Sequence, residues 1–220
     1  MAPRVSFEHE LEELKNNVTY MGEQIELLYC KLFMELKEKD AAGMEAIIEN
    51  DRQINDMQHG IEAKCLTLLT RQQPVARDLR VVSAALKVVT DIERIGDHIS
   101  DIAELLLRMN LPVLEEFSKS LPDMIEAARK IVCEAVAAFV EGNLDEAKEV
   151  IAYDDVIDDY FNKVKEDLIA DLKSGKKHPD DCIDVLMIAK YLERVGDHAV
   201  NIGEWAIFRQ TGDIDDVRLL

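Results

Sequence analysis

The same acidic hexapeptide occurs twice in this chain of 220 residues. Residues 93–98 read ERIGDH and residues 193–198 read ERVGDH, so a single position differs, an isoleucine replaced by a valine. A second pair of matching segments, DRQIND at 51–56 and DDVIDD at 154–159, precedes the hexapeptides in the same order. Two matches in the same order indicate an internal duplication, and the fold must therefore consist of two similar units.

Apolar residues recur at intervals of three and four along most of the chain, which is the spacing of amphipathic helices. No segment bounded by turn residues alternates with a period of two, so we predict no sheet. Glycine and proline are scarce, with nine and five residues, so that each break is informative. These breaks predict six helices, at about 5–39, 41–70, 75–110, 119–141, 143–173 and 180–210.

Local signals at the breaks complete the predicted architecture. Asp40 and Asn143 are expected N-caps, because their side-chain oxygens can accept hydrogen bonds from the free amides at a helix start. Glu146 follows Asn143 at the spacing of a capping box. The segment NLPVLEEFSKSLP, which contains Pro112 and Pro122, separates the two repeats. The predicted fold is therefore all-α, with two tandem three-helix bundles at residues 1–111 and 112–220.

The formal net charge of −19 narrows the possible partners. Nucleic acid is excluded, because phosphate binding requires a basic face, whereas multivalent cations and basic protein patches are favoured. The sequence has no apolar signal core and no run of about 18 apolar residues, so we predict no membrane span. Four cysteines without CxxC spacing indicate buried free thiols, and the expected location is the cytoplasm.

Oxygen-bearing side chains at helical spacing form a candidate site in each half. On the second and third helices of each half they lie four residues apart, so each set shares one helix face. Antiparallel packing of the two helices would bring the sets together, and converging carboxylates repel one another unless a cation neutralises them. The predicted metal ligands are Asp51, Asn55, Glu93, Asp97 and Asp101 in the first half and Asp154, Asp158, Glu193, Asp197 and Asn201 in the second.

The oxygen-rich donor set leaves several metals open. Iron, manganese, magnesium and calcium all suit carboxylate ligands, and zinc would be compatible if His98 or His198 contributed. Since carboxylates bridge metals readily, each site could hold more than one ion. Each histidine directly follows an aspartate on its helix and points about 100° away from it, so a structural or supporting role is equally open. The alternative to any metal is a solvated acidic helix face.

Three classes of function are compatible with these residues. A regulatory adaptor is favoured, because the sequence contains no nucleophile–base motif, Walker loop or glycine-rich phosphate cradle. We therefore predict no catalytic residues and no enzymatic activity. A carboxylate-bridged di-iron oxidase would normally carry Glu-x-x-His on two helices, whereas Glu93 and His98 lie five positions apart. A metal-free helical scaffold is the third possibility.

The segments ERIGDHISD, ERVGDHAVN, DRQIN, DDVID and RQQPVARDLRVV resemble the PhoU family of phosphate-signalling proteins. The resemblance extends from about Phe7 to Phe208. It implies a cytoplasmic negative regulator of phosphate uptake and of the phosphate-starvation response, without enzymatic turnover. The implied partners are the ATPase subunit of a phosphate ABC transporter, a membrane-bound sensor histidine kinase and a second copy of the chain in a homodimer.

The resemblance also implies multinuclear iron or zinc clusters on the acidic motifs. This chain departs from the strict family pattern at Asn55 and Asn201, which replace acids. One ligand in each half would then be a neutral carbonyl oxygen, and we expect a lower metal affinity or fewer bound ions as a result.

Overall fold

The computed structural model describes residues 3–214 and 217–218, and six long helices account for most of them. All six predicted helices are confirmed, with ends that differ from the predicted ones by only a few residues. A short 3-10 helix, Leu114–Glu116, lies in the connection between the repeats. The six helices are α1 (Pro3–Glu38), α2 (Ala41–Gln72), α3 (Ala76–Arg108), α4 (Leu121–Glu141), α5 (Leu144–Ser174) and α6 (Pro179–Thr211).

The two predicted N-caps are confirmed. The side chain of Asp40 accepts a hydrogen bond from the backbone nitrogen of Ala42 at 3.0 Å. Asn143 accepts from the backbone nitrogens of Asp145 and Glu146, at 3.1 and 3.4 Å. Three helices end at a glycine in the left-handed conformation, which a residue without a side chain adopts easily; these glycines are Gly142, Gly175 and Gly212.

The two bundles pack against each other and share one core. In the first bundle α2 packs on α1 and α3, and in the second α5 packs on α4 and α6. Helix α3 packs against α6 and α1 against α4, so one continuous apolar core runs through both halves. Polar contacts also join the halves: the hydroxyl of Tyr29 donates to the carbonyl oxygen of Ile125 at 2.8 Å, and Arg108 pairs with Asp184.

The connection between the repeats is part of the folded structure. Leu111, Leu114 and Phe117 are buried in the common core. The hydroxyl of Ser118 donates to Asp167 Oδ2 at 2.6 Å, which attaches the connection to α5. The predicted tandem arrangement of two three-helix bundles is thus confirmed, while the exact boundary at residues 111 and 112 stays a prediction.

Two small features differ from the sequence prediction. A pair of two-residue strands, β1 (Asp213–Ile214) and β2 (Val217–Arg218), follows α6 and is too short to produce an alternating pattern. All four cysteines are free as predicted. The prediction of burial is confirmed for Cys65 and Cys182, but Cys133 is only half-buried and Cys30 is exposed on α1. Within the described ranges no helix contains an apolar stretch long enough to cross a membrane.

Candidate metal centre

The first candidate site lies between α2 and α3. Burial raises the pKa of Asp51 on α2, and the nearby carboxylates of Asp97 and Asp101 on α3 raise it further. The pKa of Glu93 is raised by burial, then by Asp97 and, more weakly, by Asp51. The structure therefore brings together the predicted acidic residues of this half.

Asn55 and Arg94 provide some of the hydrogen bonds and positive charge that these carboxylates need. The side-chain amide of Asn55 donates to Asp51 Oδ2 at 3.2 Å. Arg94 Nη1 donates to Asp97 Oδ2 at 2.6 Å, and its Nε lies 3.5 Å from Glu93 Oε2. Asp51 Oδ1, however, is buried and has no hydrogen-bond partner among the described residues. A buried carboxylate oxygen without a partner is unfavourable, and a bound cation would satisfy it.

The second candidate site lies between α5 and α6. Burial raises the pKa of Asp154 on α5 to about 6, and Asp158, Asp197 and Glu193 contribute to the increase in that order. The pKa of Asp197 is also raised, first by burial and then by Glu193. Four predicted acidic ligands of this half are thus close enough to repel one another.

The second site also contains a positively charged side chain, that of Lys190. Lys190 lies one helical turn before Glu193, and its Nζ pairs with both carboxylate oxygens of that residue. The corresponding position in the first half is Thr90, whose hydroxyl donates to the backbone oxygen of Leu86 at 3.2 Å. The two sites therefore differ in the origin of their positive charge, since Arg94 supplies it in the first and Lys190 in the second.

Asn201, the last predicted ligand of the second site, forms its side-chain hydrogen bond with α3 and not with the other predicted ligands. Its side-chain amide donates to Asp91 Oδ1 on α3 at 3.0 Å. The carboxylate of Asp101, the equivalent residue of the first half, raises the pKa of Asp51. The structure therefore places Asp101 near its predicted neighbours and directs the Asn201 amide toward the contact between α3 and α6.

Gly96 and Gly196 permit the close approach of the paired helices. A Cβ atom on Gly96 would lie 3.2 Å from Ile25 Cδ1 and 3.3 Å from Ile54 Cγ2. A Cβ atom on Gly196 would lie 3.0 Å from Ile157 Cδ1 and 3.1 Å from Asp154 Oδ1. Asp154 therefore lies directly against the glycine of the second hexapeptide, so a side chain there would displace a candidate ligand.

The two histidines of the hexapeptides lie at the contact between α3 and α6. The rings of His98 and His198 are 5.5 Å apart, and His98 also stacks on Tyr191 at 5.4 Å. His198 Nδ1 lies 2.8 Å from Asp91 Oδ1, within hydrogen-bond distance. His98 Nδ1 is buried and lies 3.5 Å from Asp101 Oδ2, too far for a well-formed hydrogen bond. These contacts favour a structural role for the histidines between the two bundles.

The carboxylates converge without forming a ready-made coordination sphere. Among residues 3–214 and 217–218, no three or more His, Cys, Asp and Glu side chains adopt an arrangement that would hold a metal ion. The chemistry of the donors still fits a hard cation, because they are anionic oxygens and Asp51 Oδ1 lacks a partner. Arg94 and Lys190 would have to release their carboxylates for such a cation to bind.

Three residues at these sites were absent from the sequence prediction. Lys190 could have been recognised from its spacing of three residues from Glu193 on one helix. Asp91 and Tyr191 gave no comparable signal, because their partners His198 and His98 lie in the other half of the chain.

Comparisons with known proteins agree with this fold and with its duplication. The family model described as "PhoU domain" matches residues 7–106 and again residues 121–206. A phosphate-specific transport system accessory protein PhoU homolog from Clostridium acetobutylicum is 36% identical over 217 residues, covering 97% of this chain and 99% of the relative. A homolog from Thermotoga maritima is 32% identical over 213 residues, covering 96% of this chain and 92% of the relative.

Two solved structures share the architecture of nearly all of this chain. The crystal structure of the phosphate transport system regulatory protein PhoU from Streptococcus pneumoniae has a TM-score of 0.87 at 28% identity and covers 96% of this chain and 100% of its own. PhoU from Pseudomonas aeruginosa has a TM-score of 0.86 at 29% identity and covers 94% and 100%, respectively. Fold and sites define a helical repeat protein with two related acidic sites. The chain belongs to the PhoU family.

Proposed function

We propose that this protein is a cytoplasmic negative regulator of phosphate uptake and of the phosphate-starvation response, and that it acts by binding rather than by catalysis. The observation that carries the proposal is the PhoU match in both halves of the chain. Relatives that cover nearly its full length are named as accessory proteins of phosphate-specific transport.

The two acidic sites are proposed to bind metal ions. Asp51, Glu93 and Asp97 would provide the main ligands of the first site, and their second-half counterparts Asp154, Glu193 and Asp197 those of the second. A bound cation would neutralise the carboxylates and hold α2 against α3, and α5 against α6. The support comes from the raised pKa values of Asp51 and Asp154 and from Asp51 Oδ1, which has no hydrogen-bond partner among the described residues.

The proposed protein partners are the ATPase subunit of a phosphate ABC transporter, a sensor histidine kinase and a second copy of this chain. The net charge of −19 supports docking to basic patches on the first two. Complementary charges mainly accelerate encounter, so the association rate should fall as salt is raised. Immobilised protein should retain both partners at low salt. Retention of neither would contradict the adaptor role.

A phosphate-regulated reporter tests the proposed function in the native cell. In a strain that lacks the gene, we expect the reporter to be active even at high phosphate. Restoring the gene should silence it. A reporter that stays silent at high phosphate in the deletion strain would contradict the regulatory function, whatever the metal content of the protein.

A further inference from the structure

A cavity lies where α1 and the start of α3 meet the last turns of α4 and α6. We call it the four-helix cavity. Its volume is about 210 Å³. Since a dry cavity of about 150 Å³ accepts benzene, this one has room for an apolar group of at least that size. Its apolar wall includes Leu11, Leu14, Val18, Val81, Ala85 and Phe139.

Arg209 of α6 lines the four-helix cavity as a partly buried cation. Its Nη1 donates to the backbone oxygen of Phe139 and, at 3.3 Å, to that of Val140. Its Nε and Nη2 make no hydrogen bond within the described ranges, and no carboxylate there forms an ion pair with it. Burial, and then the charge of Arg77, lower the pKa of Arg209. A buried charge without a counter-ion is unfavourable, and a bound anion would offset part of that cost.

Arg77, in the first turn of α3, adds a second guanidinium group to this cavity. It is exposed and forms no ion pair with any residue that the structure describes. Arg77 belongs to the segment RQQPVARDLRVV, which contributes to neither acidic site. Arg80 of the same segment has a structural role, because it donates to the backbone oxygens of Arg209 and Gln210 at 3.4 and 3.3 Å and so caps α6. Arg77 has no such contact and is available to a ligand.

We propose that the four-helix cavity binds a small organic carboxylate, with the carboxylate group between Arg77 and Arg209 and the apolar body against Val81 and Phe139. Arginine suits this role because its planar guanidinium group can hold a carboxylate through two parallel hydrogen bonds. The apolar wall adds affinity by removing the hydrocarbon part of the ligand from water.

The acidic residues around the cavity favour a ligand with a single negative charge. Glu8 and Glu12 of α1 and Asp78 of α3 also line it, and the two glutamates are exposed. Their charges would repel a multiply charged anion more strongly than a singly charged one. We therefore expect inorganic phosphate, which is more highly charged at neutral pH and has no apolar body, to bind far more weakly than an organic carboxylate.

Calorimetric titration of purified, chelator-treated protein tests the ligand class, and its outcome depends neither on metal nor on the proposed regulatory function. The probe is phenylpropionate, and phenylpropanol is the control with the same apolar body and no charge. We expect phenylpropionate to bind with a Kd of about 1 mM, and phenylpropanol and inorganic phosphate to bind at least tenfold more weakly. No saturable binding of phenylpropionate up to about 10 mM, or equal binding of either control, would overturn the proposal.

Two substitutions test the position of the site. Arg77→Gln should weaken phenylpropionate binding by about tenfold, because it removes a charge-assisted hydrogen bond at an exposed position. The matched control is Arg71→Gln, since Arg71 is exposed in the last turn of α2 and does not line the cavity. Val81→Phe fills part of the cavity and should also weaken binding, with circular dichroism unchanged. Parent-like binding in Arg77→Gln or Val81→Phe, or an equal loss in Arg71→Gln, would contradict the proposed site.

Discussion

Lys190 pairs with both carboxylate oxygens of Glu193, whereas the equivalent position of the first site is occupied by Thr90. The lysine competes with any cation for this carboxylate. Lys190→Met should therefore raise the metal affinity of the second site by about fivefold, since a partly exposed ion pair contributes up to about 1 kcal/mol. Isothermal titration calorimetry checks this, with Lys176→Met in the exposed loop after α5 as control. An unchanged or weaker affinity in Lys190→Met would contradict the role given to the lysine.

The reciprocal substitution tests the first site. Thr90→Lys introduces the ammonium group of the second site into the first, beside Glu93. The added positive charge should reduce the cation affinity of the first site by a similar factor. If both exchanges leave the titration curve unchanged, neither position influences metal binding.

Removal of one central carboxylate from each site should abolish most metal binding. Asp97→Asn combined with Asp197→Asn retains the shape of the side chains but removes one negative charge from each cluster. We expect elemental analysis to show little bound metal, while circular dichroism shows the helical content of the parent, because the apolar core is separate from the sites. Equal metal content in the variant and the parent would exclude these residues as ligands.

The raised pKa of Asp154 makes the stability of the metal-free protein depend on pH. Since its folded pKa, about 6, lies above the ordinary value of 3.8, the unfolded chain releases this proton at lower pH than the folded protein does. The contribution of Asp154 to stability is thus fully present below about pH 4 and is lost as the pH rises through about 6. Asp154→Asn should stabilise the chelator-treated protein at pH 7 by about 1 kcal/mol after allowance for solvent screening.

Denaturant unfolding at pH 4 and pH 7 measures this effect. The gain from Asp154→Asn should be small at pH 4, where the aspartate is largely protonated in the folded protein. Asp159→Asn is the matched control, because Asp159 is exposed on the same helix and is not among the groups that raise the pKa of Asp154. A gain of equal size at both pH values, or the same gain in the control, would show that the carboxylate cluster is not its cause.

Two glycines within helices should respond oppositely to alanine. A Cβ atom on Gly22 would lie 2.5 Å from Val136 Cγ1 at the contact between α1 and α4, whereas one on Gly60 would have no atom of the described residues within 4 Å beyond its own stretch of helix. Gly22→Ala should therefore lower the free energy of unfolding by about 1–3 kcal/mol through overpacking. Gly60→Ala should raise it by about 0.5–1 kcal/mol, because alanine favours the helix. Urea unfolding of both variants checks the pair; destabilisation by Gly60→Ala would contradict this explanation.

The six helices and their caps could be predicted because they depend on local spacing. The apolar periodicity, the capping side chains of Asp40 and Asn143, and the glycines and prolines at the breaks all act within a few residues. The convergence of Asp51 with Asp97, and of Asp154 with Asp197, followed from the duplication and from antiparallel packing of neighbouring helices. These features need no knowledge of how the two halves meet.

The contact between the halves could not be predicted in the same way. Asn201 was assigned to the second site by its spacing from Asp197, but its amide donates to Asp91 on α3. Tyr191 and His98 stack across the same contact. Such pairs depend on the packing of α3 against α6, and helical periodicity shows which face is buried without showing what it is buried against. The pairing of Lys190 with Glu193, by contrast, lies within one helix and could have been predicted from their spacing of three residues.

Complementation of the deletion strain tests most directly the claim that the protein regulates the phosphate-starvation response through its acidic sites. The measurement is the activity of a phosphate-regulated reporter at high phosphate, with the parent protein or the Asp97→Asn, Asp197→Asn variant supplied at equal abundance. We predict that the parent silences the reporter and that the variant leaves it active. Silencing by the variant to the level of the parent would separate the acidic sites from regulation, and failure of the parent itself to silence the reporter would contradict the regulatory function.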